Sequence, residues 1–489
     1  MNSLIKSFAG LSCPAFLIVQ DIKTELLPPI SVSTLDLPKK DGQYYVNSKF
    51  GIRTFDVEIA FLTPKKEDVL YYADDLAEWL YYDEPQKLIF RDKPDIYYMA
   101  KVVGNTELEK VYRSGKATIQ FVCYDPHGYS VNEKAYTFNP TSTDPVPVIN
   151  NGNMEASPTI NVTFTKNVTD FAIVTDKDTL YFGEPFDSTI QKAVDLQPKL
   201  INDTGASTTG WQTGLAVDGG DVAGTIISNG GFSFMQGVTD GKRDYGTGTK
   251  WHGGAIVKSV GAQVQDFICE CQIGFDTTAN NQFGRIEVYL LGANDEQLGK
   301  MALKDAHPTM KAPLYDCWIG KVNGGGEDII KAYGAHYGSL DNFNGIMRVE
   351  RIGKRWTFFL SKITNGIYHT RIFKQYVDWQ QEFMQKVAKI QIHIGAYGTN
   401  PPVSNMWVSN VLFKEVKSKG ENEIDYVFRT GDKLSVDCST SSILLNNEPY
   451  FSRLYPSSTY PILEKGVNGI SVNDPVIKDG VIKFRERWL

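Results

Sequence analysis

Apolar residues recur at every second position through much of this 489-residue chain, the spacing that lays one face of a β-strand against a core. GKATIQFVCYDP alternates through Ala117, Ile119 and Phe121, and a later run carries Ile160, Val162 and Phe164 on one side. GRIEVYLLG sets Ile286, Val288 and Leu290 against Arg285, Glu287 and Tyr289, which predicts a core-facing side and a solvated side. The chain finishes on VIKFRERWL, where Val481 and Lys483 share a face and the alternation loses definition from Arg485 to Trp488. Termini fray unless something ties them down, so this pattern predicts a partner strand far away in sequence.

One stretch changes to helical spacing. In TPKKEDVLYYADDLAEWLYYD, Val69, Leu70, Ala73, Leu76, Ala77 and Leu80 fall on one face, with Thr63 as the expected N-cap and Pro64 at the first helical position. Strands RTFDVEIAFLT, KLIFRD and YYMAKVVG flank it, predicting an α+β unit whose helix covers a sheet. LLPPISVSTLDLPKKDGQYYVNSKFG is rich in Pro, Ser and Gly and reads as a long loop or arm, a feature that often serves a partner.

The length exceeds what one core holds. Strands within 141–204 are too few to close a sandwich and would leave open edges, and the strands after 418 are again half a sandwich. Between them, 205–417 holds DFICECQIGF, FGRIEVYLLG, GIMRVERIG, KRWTFFLSKI, VAKIQIHIGAYG and MWVSNVLFKEV, enough for a self-sufficient two-sheet jelly roll. The simplest arrangement is one sandwich split by an insertion, since insertions enter at surface loops. The fold class expected is therefore mainly β with one α+β domain: 1–140, then 141–204 and 418–489 as the halves of a split sandwich around 205–417.

Composition adds exclusions. A formal charge of −7 offers no general cationic surface to nucleic acid. No run approaches the twenty apolar residues of a membrane helix, and the first residues lack a secretory pattern. The 6 cysteines are scattered, as suits assembly in a reducing compartment. Cys269 and Cys271 share an apolar face with Phe267 and Ile273 and are expected in the core rather than on a metal.

The 6 histidines show no metal-ligand spacing, and His393 in IQIHIG is expected at the surface. NGGGED at 323–328 lacks the Lys-Ser/Thr pair of a phosphate loop and reads as a turn. Asp276, Glu287 and Glu350 have the chemistry to flank a glycosidic bond but read as solubilising charges on strand faces. No catalytic residue, metal ligand or cofactor is assigned, with a structural calcium in the inserted block left open. What remains is a set of aromatic, amide and acidic residues in or beside loops: Trp251, His252, Trp318, Tyr337, Asp341, Asn342, Tyr397, Asn400 and Trp407. Sugar rings stack C–H faces on aromatic rings and offer hydroxyls to such polar groups, so these nine are the candidate carbohydrate-binding residues.

FLIVQDI, KLIFRDKPDIYYMAKVVG and GKATIQFVCYDPHGYS resemble the N-terminal ring-forming domain of the distal tail proteins of long-tailed bacteriophages infecting Gram-positive bacteria. FRTGDKLSVDC, ILLNN, LEKGVNGISV and the closing VIKFRERWL are similar to that family's C-terminal galectin-like sandwich. GTKWHGGAIVKSV and MRVERIGKRWTFFLSKI resemble the carbohydrate-binding, concanavalin-like insertions of its enlarged members. The resemblance implies a virion protein at the distal end of the tail, assembled in the host cytoplasm as a homohexameric ring. It implies as partners the tail tube protein, a tip protein, a receptor-binding protein and host cell-wall polysaccharide or teichoic acid, without nucleic acid or membrane insertion. The readings from other classes are a cell-wall glycoside hydrolase with accessory β domains, and an insertion that acts only as a protein-docking spacer.

Overall fold

The computed structural model describes residues 4–65, 68–104, 108–111, 114–230, 233–322 and 324–489. The chain divides into two compact units, residues 1–186 with 426–489, and residues 187–425.

In the first unit, a ten-stranded set runs in the order Leu11–Ser12, Ile5–Phe8, Gln86–Phe90, Ile96–Val103, Ser114–Cys123, Arg53–Leu62 and Leu17–Thr24, with short strands at its margins. Helix Val69–Leu80 buries Val69, Leu76, Trp79 and Leu80, and Trp79 meets Phe8 edge-on at 5.8 Å. The helix starts later than the sequence suggested. Asp68 occupies its N-cap without a side-chain hydrogen bond, while Thr63 Oγ1 donates to the Lys65 carbonyl at 2.6 Å and so closes a turn before the helix. Lys66 and Glu67 lie outside the described residues.

The Pro- and Ser-rich stretch is an ordered hairpin rather than a loop. Ile30–Leu35 pairs antiparallel with Tyr44–Phe50, and every residue of both strands is exposed.

The same unit holds a sandwich whose strands come from both sides of the inserted block. Thr159–Thr163 lies between Lys433–Asp437 and Val481–Phe484, placing Ile160 opposite both Val436 and Ile482. Val481–Phe484 also pairs with Lys134–Thr137. The facing sheet runs Val146–Asn150, Gly466–Val472, Asp170–Val174, Thr179–Gly183. Phe164 stacks on Phe428 at 4.3 Å between the sheets. The alternation that faded in the sequence continues: Ile482, Phe484 and Glu486 are buried while Lys483, Arg485 and Arg487 point the other way. Arg487–Trp488 then pairs with Gly128–Tyr129, so the closing residues are held by three partner strands.

In the second unit two eight-stranded sheets enclose one apolar core. The first contains Trp251–Val264, Val387–Tyr397, Gly284–Leu291, Gln297–Asp305, Leu314–Ile319 and Glu327–Ala332; the second contains Asn405–Glu415, Phe267–Asp276, Phe343–Ile352, Arg355–Thr364 and Ile367–Val377. Cys269 and Cys271 are fully buried between them. Lys199–Asp203 pairs with Asn405–Glu415 and Lys192–Val194 with Glu423–Asp425. These ladders place residues 187–204 and 418–425 in the inserted unit, outside the 205–417 limits expected for it. Of the NGGGED turn, Asn323 lies outside the described residues.

Candidate functional site

The first insert sheet has a face turned away from the core, and its strands set that face by alternation. Ile286, Val288 and Leu290 enter the core, so Arg285, Glu287 and Tyr289 must take the other side. That side was expected in water. It is buried instead, with Glu287 1% and Arg285 3% exposed, because residues 212–222 cross it. Gln212–Thr213 and Gly220–Val222 pair with the edge strand Trp251–Val264. Val217 between them packs with Ala255, Val257, Tyr289 and Leu291.

Carboxylates and cations under this cover pair with one another, as buried charge requires, although Arg285 Nε and Nη2 and His393 Nε2 are buried without a hydrogen-bond partner. Glu287 accepts from Lys300 Nζ at 2.9 Å and from the Tyr289 hydroxyl at 2.6 Å, with His393 Nδ1 at 3.1 Å. Arg285 Nε lies 3.1 Å from Glu287 Oε2 but off the N–H line, so that contact is ionic rather than a hydrogen bond. Burial opposes the charge on Glu287, but Arg285, Lys300 and His393 outweigh it and hold the carboxyl well below the ordinary range. His393, expected at the surface, is fully buried, and burial pushes its imidazole down despite Glu287. Asp276 and Glu350 sit in strands of the other sheet. The three carboxylates therefore form no pair across a cleft.

At the uncovered margins of this face the aromatic residues emerge. Trp251 stands directly opposite Tyr397 in the ladder, their rings 5.1 Å apart and edge-on. The Arg285 guanidinium lies 4.9 Å from the Trp251 ring, and Phe283 stacks on Tyr397 at 6.1 Å. Asn400 closes the turn after Tyr397, its backbone N–H and Nδ2 both donating to the Tyr397 carbonyl at 3.1 Å. Farther across the sheet, Trp318 Nε1 donates to Asp316 at 3.0 Å, and Lys331 Nζ lies 4.9 Å over the ring. Trp251, Tyr397 and Trp318 were expected in or beside loops. They lie at strand ends and so beside loops, Trp251 the first, Tyr397 the last and Trp318 the next-to-last residue of its strand. His252 points the other way from Trp251 and is 5% exposed, so it packs rather than presents itself.

Tyr337, Asp341 and Asn342 lie at a second place. Loop residues 333–342 and the strand Ile367–Val377 bound a cleft of about 590 Å³ lined by His336, Ser339, Thr370, Arg371 and Phe373. Tyr337 is 57% exposed and meets Tyr333 at 4.5 Å. Asp341 Oδ1 is buried without a hydrogen-bond partner, and burial raises its carboxyl despite Lys311 and Lys362. The ladder slips between Leu360 and Lys362, and Thr370 there has φ +50. A β-branched residue in that region is strained, and such strain gathers at bulges beside binding clefts. Trp407 is alone at a third place, the outer side of the second sheet, over Gly274, where any Cβ would strike its indole.

Eight of the nine candidates thus fall in three places rather than one groove, and His252 is buried away from all three. Arg285 beside Trp251, and Arg371 and Phe373 at the cleft, were not among the candidates, nor was Trp379, a ring 77% exposed just after strand Ile367–Val377. For Trp379 a lone tryptophan in the polar run DWQQE was an available signal; for Arg371 none existed, since the ladder slip is tertiary. Among the described residues no group of three or more His, Cys, Asp or Glu is placed to hold a metal.

Comparison with known proteins identifies the two ends. Residues 14–123 match the model of the phage tail protein RIFT-related domain, and residues 395–488 match the siphovirus-type tail component, C-terminal domain. No curated protein sequence matches the chain. Among solved structures, the Dit protein of phage SPP1 is 19% identical over 37% of this chain and 74% of its own, with a TM-score of 0.32. The CBM2 module of the evolved Dit of Lactobacillus casei BL23 phage J-1 is 12% identical over 46% of this chain and 98% of its own, at 0.39. A Bauhinia forficata lectin crystallised with GalNAc is 10% identical over 45% and 97%, at 0.29. Similarity at these scores is one of outline, and the assignment rests on the two family models in their order along the chain.

Proposed function

This chain belongs to the siphovirus-type distal tail proteins, and from that membership we propose how its parts divide the work. It is a structural hub protein of the distal phage tail, not an enzyme, and carries an inserted two-sheet β module. Residues 1–140 form the ring, with six copies closing it between the tail tube protein and the tip and receptor-binding proteins. Support comes from the hairpin at 30–50, which exposes Val32, Leu35, Tyr45 and Val46 to solvent, an unpaired apolar surface that calls for a partner. Assembly in the host cytoplasm agrees with thiols buried at Cys123, Cys269, Cys271 and Cys317.

The inserted unit engages host cell-wall polysaccharide or teichoic acid during adsorption. The observation that carries this reading is the Trp251–Tyr397 pair, two partly exposed rings on which a sugar ring stacks, with the buried Arg285 guanidinium holding Trp251 from behind. Trp318 on the same sheet, and Tyr337, Asp341 and Asn342 at the cleft, extend the candidate surface. The decisive experiment is binding of the intact protein to purified wall glycans and a glycan array. Retention of one saccharide class supports the module as an adhesin; absence of any binding, with adsorption unchanged on deleting residues 187–425, makes it a spacer.

A further inference from the structure

A second polar cleft lies wholly within the first unit. Three cations come from alternate positions of the closing segment: Lys483 in strand Val481–Phe484, Arg485 just after it and Arg487 in strand Arg487–Trp488 share the face opposite Ile482 and Phe484, about 7 Å apart at the rise of an extended chain. They border a cleft of about 430 Å³ whose other walls include Tyr97 and Tyr129. The two tyrosine rings stack at 5.7 Å. Arg485 lies 5.9 Å from the Tyr97 ring and Arg487 5.7 Å from Tyr129. Hydroxyls of Ser157 and Thr159 also line it, and Glu133 is the one carboxylate among the lining residues, 3.8 Å from Lys483 Nζ.

Three positive groups line the cleft against Glu133, with Asp125 behind Tyr129 and His127 as a further carboxylate, and in a protein of net charge −7 that local excess of cations marks the cleft for an anion. Which anion follows from the donors left over. Arg487 spends Nη1 on the Glu155 carbonyl at 3.1 Å and has Nη2 2.8 Å from His127 Nδ1, while its Nε is buried with no partner. Arg485 Nη1 is held by the carbonyls of Ser130 and Val131. The parallel two-pronged fork that suits a carboxylate is therefore missing at Arg487. Single donors arriving from several side chains suit a phosphate, which has more acceptor oxygens to share.

We propose that this cleft binds a phosphate ester, its phosphate among Lys483, Arg485 and Arg487 and its organic part against Tyr97 and Tyr129. The site is independent of the inserted unit and of any saccharide bound there.

Calorimetric titration of the full chain with glycerol 3-phosphate, inorganic phosphate and glutarate tests it. The expected result is saturable binding of glycerol 3-phosphate, weaker binding of inorganic phosphate and weakest binding of glutarate. Lys483→Gln, at a side chain 46% exposed, should weaken glycerol 3-phosphate by about tenfold, the loss of one charge-assisted hydrogen bond. Glu133→Gln should tighten it, a gain that misfolding cannot mimic. Absence of saturable binding, equal affinity in Lys483→Gln, or glutarate binding as tightly as the ester would each overturn the assignment. Equal affinity for inorganic phosphate would remove the tyrosines from it.

Discussion

Two strands of similar length invert what their sequences suggest. Gly284–Leu291 alternates apolar with charged residues and is buried at every position, whereas Tyr44–Phe50 carries Tyr44, Tyr45, Val46 and Phe50 and is exposed at every position. Side-chain pattern sets which residues share a face; what covers that face is set elsewhere. The first strand is roofed by residues 212–222, and its charges survive burial by mutual pairing. The second stays exposed along its length among the described residues, with Lys40 over Tyr44 and His127 edge-on to Phe50, and in the hub reading a neighbouring copy supplies the cover.

The contrast can be broken from either side. Removing residues 26–50 should leave the remainder of the first unit folded and abolish ring formation, read as a fall from oligomer to monomer by light scattering. A ring of unchanged mass would detach the hairpin from assembly. At the buried strand, Glu287→Ala leaves Arg285 and His393 without their carboxylate and Lys300 with Asp218 alone, so the inserted unit should lose about 3–5 kcal/mol in denaturant unfolding. A loss below about 1 kcal/mol, the usual value of a surface pair, would mean the network is solvated.

Where the same face opens to water, Trp251→Ala should weaken wall-glycan binding about tenfold while unfolding at the same denaturant concentration, the mark of an exposed contact residue. Equal affinity of variant and parent would dismiss this ring pair as the contact surface. The smallest effect belongs to Asp125 in the first unit. Burial opposes its charge, but hydrogen bonds from His127 and Tyr129 bring its carboxyl down to about 2. A folded value below the unfolded one means stability present above about pH 4 and lost as pH falls toward 2. Melting temperature followed across that window should drop less steeply in Asp125→Asn than in the parent.

Much of the architecture was legible because strand period is a local property. Ile160, Val162 and Phe164 announced a buried face, and their burial at 0–2% follows from it. The helix was legible from Val69, Leu76 and Leu80, but its start was not, because Thr63 spends its hydroxyl on a tighter turn. Site residues were harder to read. Trp251 and Tyr397 are 146 positions apart in numbering and meet only through an antiparallel register. His252, one position from Trp251, shares its composition cues but not its face.

The sequence by itself determined the alternation, the class of the strongly periodic elements and the two family signatures, since those depend on neighbours within a few residues; the hairpin at 30–50, whose Pro- and Ser-rich composition reads as a loop, lay outside that reach. Tertiary structure alone decided that Glu287 and His393 lie under a crossing segment, that Arg371 turns toward a cleft at a ladder slip, and that Lys483, Arg485 and Arg487 face Tyr97 and Tyr129. Those outcomes depend on which distant backbone arrives over a face, and no local period encodes the arrival.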